Sequence, residues 1–211
     1  SYVEQARVPL PDRMQMYNML QRLGTSEVFE PSFLAQIDMQ DPLSQQQAVW
    51  RQVPDASQLN QMLAYDWRYT LAETDLPKVR GSTSLAGVDV AFPFLDDALV
   101  DFSLTLPSSY KLKGQKLRWF FKEALRGFLP DEILTKKKQG FGLPFGMWLR
   151  TDEYLKAMAH DALSGLATRG IFLPGFIEQA ERLNRESDAA GYYGELVWIM
   201  MMLELWLREH A

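Results

Sequence analysis

Leu196 to Leu207 reads LVWIMMMLELWL, and the fold class turns on whether this run crosses a membrane or fills a core. It is shorter than the roughly 20 apolar residues a bilayer span needs. Glu204 interrupts it, and Glu195, Arg208 and Glu209 flank it. A buried helix fits, running from Tyr192 to Arg208 as the last and most apolar of the chain. Working outward, helix punctuation is dense. Met14, Tyr17, Leu20 and Leu23 fall near helical spacing with Gly24 as a stop. Asp41-Pro42 marks a helix start. Asp55-Ala56-Ser57-Gln58 has the form of a capping box, with Asp55 at the cap and Leu59, Met62, Leu63, Asp66 and Tyr69 along the helix that follows. Asp75-Leu76-Pro77 starts another, ending near Gly87. Further helices are expected over about 116–126, from Pro130 to Thr135, from Thr151 or Asp152, and from Pro174.

Strand signals are weak. Val88 to Phe92 alternates in polarity, but Pro93 closes it after a few residues, so it reads as an extended segment or a short bridge. No strand-helix alternation, internal repeat or low-complexity tract occurs. The expectation is an all-α fold, a compact multi-helix array forming a single helical domain over 1–211.

Composition narrows the chemistry. The chain has 211 residues, 47% hydrophobic and 23% charged, a globular balance that excludes a disordered chain. It has no cysteine, which removes disulfides, thiolate metal sites and a cysteine nucleophile. With only His160 and His210, and His210 next to the last residue given, the sequence argues against imidazole clusters and a Ser-His-Asp triad too. A net charge of −5 argues against a nucleic-acid binder. Neither GxxxxGK[ST] nor GxGxxG occurs, so a nucleotide site has to be completed from outside this sequence. The chain opens on Ser1 with no signal-peptide pattern and reads as a cytoplasmic piece of something longer.

Three clusters carry candidate chemistry. In the first, Lys78 falls in the first turn of its helix, where a cation opposes the helix dipole. It is either an ordinary exposed lysine or the mark of a site that needs a cation. Asp96 and Asp97 follow Pro93, and helix capping explains both. Asp89 sits among Val88, Val90, Ala91 and Phe92. It is either an outward-facing position of the extended segment or an acid put to use. The second cluster runs from Lys111 to Arg118, and Lys116 stands out at a helix start after a glycine turn. The third is Lys136-Lys137-Lys138-Gln139-Gly140-Phe141-Gly142-Leu143-Pro144. A turn stiffened by Phe141, Leu143 and Pro144 can hold one ammonium in place, as stabilising a phosphate transition state requires.

In order and spacing, these motifs resemble the C-terminal half of the synthetase domain of glutamine-hydrolysing asparagine synthetases and their β-lactam synthetase-like relatives. The resemblance rests on Lys78-Val79, Asp89-Val90-Ala91-Phe92-Pro93-Phe94-Leu95-Asp96, Leu106-Pro107, Leu129-Pro130-Asp131-Glu132-Ile133-Leu134 and Lys138-Gln139-Gly140-Phe141. It covers about residues 60–150. It implies the helical C-terminal part of a PP-loop (adenine-nucleotide α-hydrolase-like) synthetase domain whose parallel sheet is missing here. It also implies adenylation of a small-molecule carboxylate by ATP with Mg, then amide formation with ammonia from glutamine. On this resemblance Lys138 and Lys116 neutralise charge on the nucleotide phosphates, Gly140 belongs to the nucleotide-facing turn, and Asp89 is the acid near the substrate.

The chain departs from the family pattern at three positions. Arg80 replaces an aspartate, Asp89 a glutamate, and Ala91 an arginine. The resemblance implies partners in the PP-loop and glutaminase regions of a parent chain. It also implies that this piece alone makes no amide and binds ATP and Mg weakly, and that an exposed apolar face allows self-association. The alternative is a catalytically degenerate helical scaffold or protein-interaction domain, which Arg80 and Ala91 favour. Lys116, Lys138 and the Gly140-Phe141-Gly142 turn favour the ligase.

Overall fold

The computed structural model describes residues 2–16, 18–137, 142–187 and 190–210. The chain is all-α as the sequence reads. In order come α1 (Tyr2–Arg7), α2 (Met19–Leu23), α3 (Pro31–Leu34), α4 (Asp41–Arg51), α5 (Gln58–Asp66), α6 (Leu76–Leu85) and α7 (Asp97–Thr105). Then follow α8 (Ser108–Lys111), α9 (Trp119–Ala124), α10 (Asp131–Thr135), α11 (Phe145–Thr151), α12 (Glu153–Ala167), α13 (Phe176–Glu186) and α14 (Ala190–His210). Among the described residues the only sheet is an antiparallel pair, β1 (Leu112–Lys113) with β2 (Lys116–Leu117). The chain divides into two compact units, one of residues 1–41 with 140–211 and one of residues 42–139.

The first unit is organised around α14. Leu196, Val197, Met200, Met201 and Glu204 are buried, a stripe at helical spacing, while Ile199, Met202 and Trp206 are exposed. The stripe packs on Leu149 of α11, on Ala159, Ala162, Leu163 and Leu166 of α12, and on Ile177 and Ala180 of α13. Burying each Leu or Met side chain contributes about 1.5–3 kcal/mol. Val28 and Phe172 complete this core, joined by backbone bonds from Glu30 N–H to Ile171 C=O (3.0 Å) and from Leu173 N–H to Val28 C=O (2.9 Å). Arg150 caps the C-terminus of α13, donating to the carbonyls of Asn184 (2.5 Å) and Ser187 (2.6 Å).

Glu204 holds the one charge on the buried stripe. It accepts from Arg169 Nε (2.5 Å) and from Arg208 Nε (2.9 Å). Arg208 also donates to the Asp161 carboxylate (2.6 Å), which ties α14 to α12. The hydrogen bonds from Arg169 are the main cause holding the Glu204 carboxyl below its ordinary value, against a desolvation that raises it; Arg208 adds to the lowering. Backbones approach closely at two points. A Cβ on Gly165 would lie 2.7 Å from Glu204 Oε1, and one on Gly194 would lie 2.1 Å from Gly146 Cα. The first clearance lets the carboxylate reach its arginines. The second lets α11 and α14 touch backbone to backbone.

In the second unit α5, a π-helical stretch (Trp67–Asp75) and α6 join through junction residues in right-handed helical conformation. The wider spacing shows in the side chains. Arg68 pairs with Glu73 at 2.8 Å, and the Thr74 hydroxyl donates to the Tyr69 carbonyl at 2.8 Å, each five residues apart. The cap of α5 is Ser57, whose hydroxyl accepts from Asn60 N–H at 3.3 Å, two residues beyond the expected Asp55. Elsewhere capping follows the sequence. Asp96 accepts from Ala98 and Leu99 N–H, and Asp152 from Leu155 N–H. An aromatic cluster joins α7, α8 and α9: Tyr110 stacks on Phe120 at 5.6 Å, and Phe102 lies 6.2 Å from Phe120. The cluster is only partly covered, with Phe102 and Tyr110 exposed, and among the described residues the buried apolar side chains of this unit are Tyr65 and Leu134. Leu85 is 93% exposed, Phe128 80% and Phe94 69%, an unusual amount of apolar side chain in water.

Two outcomes are expected. Gly194→Ala should lower the unfolding free energy by about 3 kcal/mol, since helix backbone on both sides blocks the new methyl. Gly191→Ala has open space around it and should be neutral or stabilising by up to about 1 kcal/mol; denaturant titration distinguishes the two. The Glu204 contribution is fully present above the ordinary carboxylate value near 4.5 and is lost as pH falls through its depressed native value. Unfolding midpoints measured on acidification should therefore fall more steeply for the wild type than for Glu204→Gln.

Candidate functional site

The basic stretch before α9 folds as a hairpin, so the helix expected over about 116–126 is present but begins at Trp119, and Lys116 is not at its start. Lys113 pairs with Lys116 across a two-residue turn, with Gly114 at φ 61 and Gln115 between them. Glycine at the first central position is the requirement of a type II′ hairpin turn. Lys116 thus stands on β2, three residues ahead of α9, rather than in a first helical turn. The physical reason is Gly114. Its left-handed backbone supports a reversal, and the pairing of Leu112 with Leu117 then closes the hairpin.

Two cations therefore sit opposite one another on a surface turn. The Lys113 ammonium lies 4.0 Å over the Trp119 ring, while the Lys116 side chain is exposed. Glu123 lies within Coulombic reach of both lysines, but its carboxylate oxygens accept from Arg126 at 2.7 and 2.9 Å. That bidentate hydrogen bonding is the main reason its carboxyl sits below the ordinary range; Lys116 and Lys113 add smaller lowering effects. Among the described residues no carboxylate pairs with Lys113 or Lys116. Arg118 follows with φ 56, a left-handed conformation that costs a non-glycine residue about 1–2 kcal/mol. Such a turn can screen a polyanion such as a di- or triphosphate by charge; it supplies no nucleophile and no proton acceptor.

Asp89 lies on the extended segment between α6 and a short 3-10 turn at Pro93–Leu95, in the same unit as Lys116. Its carboxylate is exposed, and no hydrogen bond or ion pair links it to Lys116. Segment 88–92 pairs with no strand among the described residues. Arg80 and Ala91 are exposed as well. Lys78 forms a local pair with Asp75 at 2.7 Å, which offsets the dipole cost of its position. Lys138 and Gly140 lie outside the described residues. The sequence reading passed over Lys113 and Arg118. The available signal was Gly114-Gln115 between two basic positions, a hairpin pattern read as a helix start.

No group of three or more acidic or imidazole side chains that could hold a metal ion occurs among the described residues. The described residues therefore offer no cluster of ligands suited to Mg2+. Among the described residues no helix is long and apolar enough to cross a membrane.

The family model described as asparagine synthase matches residues 3–208. The glutamine-hydrolysing asparagine synthetase 1 of Bacillus subtilis is 25% identical over 157 residues, covering 72% of this chain and 24% of that protein. A putative glutamine-hydrolysing asparagine synthetase of Mycobacterium tuberculosis is 22% identical over 222 aligned residues, covering 94% of this chain and 32% of the relative. The B. subtilis asparagine synthetase 3 is 34% identical over 56 residues, 26% of this chain and 9% of that protein. The chain thus spans about a quarter to a third of the length of the first two relatives. No solved structure is significantly similar to it.

Because Arg118 is strained by its backbone alone, Arg118→Gly should raise stability by about 1 kcal/mol. Arg118→Val should lower it by at least as much, since a β-branched side chain tolerates that region worst. Thermal unfolding of the two variants beside the wild type checks the sign of each change.

Proposed function

Since the chain belongs to the asparagine synthase family, we propose that it is the helical C-terminal part of an ATP-dependent amide-forming ligase. In this reading the intact protein joins a small-molecule carboxylate to ammonia from glutamine. A carboxylate oxygen attacks the α-phosphorus of ATP, and the bond to the pyrophosphate oxygen breaks. Ammonia then adds at the acyl carbon, AMP departs with the bonding pair, and a proton is lost from nitrogen.

The contribution of this chain is cationic. Lys116 and Lys113 offer ammonium groups to the departing pyrophosphate, and Lys138 is assigned the same task on the reacting phosphate. Adenylyl transfer depends mainly on positioning and charge screening, so fixed cations are the expected equipment. The observation that carries the reading is the hairpin: two opposed lysines that, among the described residues, form no ion pair with a carboxylate, because the Glu123 oxygens are taken by Arg126. ATP would be cradled by a PP-loop region and the ammonia supplied by a glutaminase region, neither present in this sequence. Mg2+ would arrive with the nucleotide. The exposed Leu85, Phe94 and Phe128 are assigned to contacts with those regions, and in the isolated piece to self-association.

A second reading, a helical docking scaffold without chemistry, is favoured by Arg80 and Ala91 at positions where the family carries an aspartate and an arginine. ATP–pyrophosphate exchange by the full-length protein that contains this chain separates the two. The ligase reading expects carboxylate-dependent exchange that falls by about a hundredfold or more in Lys138→Ala and Lys116→Ala, the usual loss on removing one stabiliser of transition-state charge. Exchange untouched by either substitution removes these lysines from the reaction. No exchange with any carboxylate, together with retained folding, leaves the scaffold. The isolated chain is expected to make no amide.

A further inference from the structure

A cavity of about 530 Å³ opens within the second unit, lined by Val53, Ala56, Leu63, Ala64, Trp67 and Leu106 among others. Its size and apolar walls match a small-molecule pocket. Asn60, Ser103 and Lys111 are its polar members. The Ser103 hydroxyl is already spent, donating to the Val100 carbonyl at 2.7 Å. Lys111 is half-buried, and its ammonium donates to Asn60 Oδ1 at 2.9 Å. Among the described residues it meets no carboxylate. An ammonium at the edge of an apolar hollow, with one neutral partner, is short of negative charge.

The ammonium is also held in place. Ser57 Oγ and Ser108 Oγ lie 2.5 Å apart, and Asn60 and Lys111 repeat the pairing three residues further along each helix. These two cross-links join α5 to α8 at the pocket rim. The opposite end of α5 carries Trp67, where the helix changes from α to π spacing. Such changes of spacing re-aim side chains and recur at functional sites. Here Trp67 is left 43% exposed as a wall of the cavity, a large ring a soluble helix would otherwise bury.

We propose that this cavity binds an amphipathic carboxylate, an aliphatic or aromatic acid whose carboxylate pairs with Lys111 and whose apolar body lies along Trp67, Leu63 and Ala64. The inference does not rest on the ligase reading, and every residue it uses lies in one unit. Calorimetric titration of the chain with decanoate below its micelle concentration, beside 1-decanol, tests it. One decanoate per chain is expected. Lys111→Met, which keeps the apolar stem, should weaken decanoate by about tenfold or more and change decanol by less than about twofold, the difference expected for one charge-assisted hydrogen bond. Ala64→Phe, which fills the cavity, should abolish both. Should that variant fail to fold by circular dichroism, Lys111→Met still decides. The proposal is overturned by an absence of saturable binding, by equal losses of both ligands in Lys111→Met, or by several molecules bound per chain regardless of Ala64→Phe. It is also overturned by a dimer of the free chain that Ala64→Phe dissociates, which would assign the cavity to a second copy.

Discussion

A carboxylate in the middle of an apolar stripe is the constraint on which the first unit depends. Glu204 occupies a position of α14 that Leu196 and Met200 would otherwise continue, and it is 2% exposed. A buried charge is tolerable only when paired and hydrogen-bonded. Arg169 and Arg208 meet that demand from two directions, and Asp161 holds Arg208 in turn. The arrangement requires α12 to come close, which Gly165 permits by having no side chain at the contact. One buried acid thus fixes the register between α12 and α14. An all-apolar stripe could slide by a turn at little cost, whereas this one cannot slide without stranding a charge.

The two units solve the packing problem differently. The first surrounds its longest helix with three others and buries a continuous cluster from Val28 to Met201. The second relies on ring-on-ring contacts among Phe102, Tyr110, Trp119 and Phe120, and on polar cross-links between α5 and α8. Aromatic pairs contribute about 0.5–1.5 kcal/mol each beyond the area they bury. That is enough to hold short helices together but not to cover Leu85, Phe94 or Phe128. Apolar area left in water on this scale is a cost to the isolated unit and an opportunity for a partner surface.

Much of the fold was legible because helix signals are local. Asp96, Asp152 and Gly24 do what their types predict, and the apolar run at Leu196 is a buried helix. Two features escaped. The capping position moved from Asp55 to Ser57, since several residues there can cap and only the turn geometry selects one. The hairpin at Lys113–Lys116 was read as a helix start, because two-residue strands have too little pattern for alternation to be seen. The role of Glu204 was only half visible. Its interruption of the apolar run argued against a membrane, but the arginines that make it a core residue lie 35 and 4 positions away, and only folding brings Arg169 to it. Of the candidate site residues, Lys116 and Asp89 are exposed charges of one unit, and Lys138 and Gly140 lie outside the described residues.

In the proposed ligase reading, Arg80, Asp89 and Ala91 bear on chemistry rather than on folding. All three side chains are exposed, Arg80 on α6 and the other two on the extended segment before Pro93. Among the described residues no hydrogen bond constrains these side chains, so substitution there is expected to leave the packing of α6 and α7 untouched. What changes is charge. Against the family pattern, an acid becomes a cation, an acid is kept but shortened, and a cation becomes a methyl group. Together the three positions move from one net negative charge to none. A site that orients a carboxylate next to a triphosphate depends on where its few fixed charges lie, and a shift of about 1 Å is enough to lose that orientation. In that ligase reading, the scaffold and the lysine hairpin can therefore persist while these three exposed positions vary, since the fold does not need their side chains.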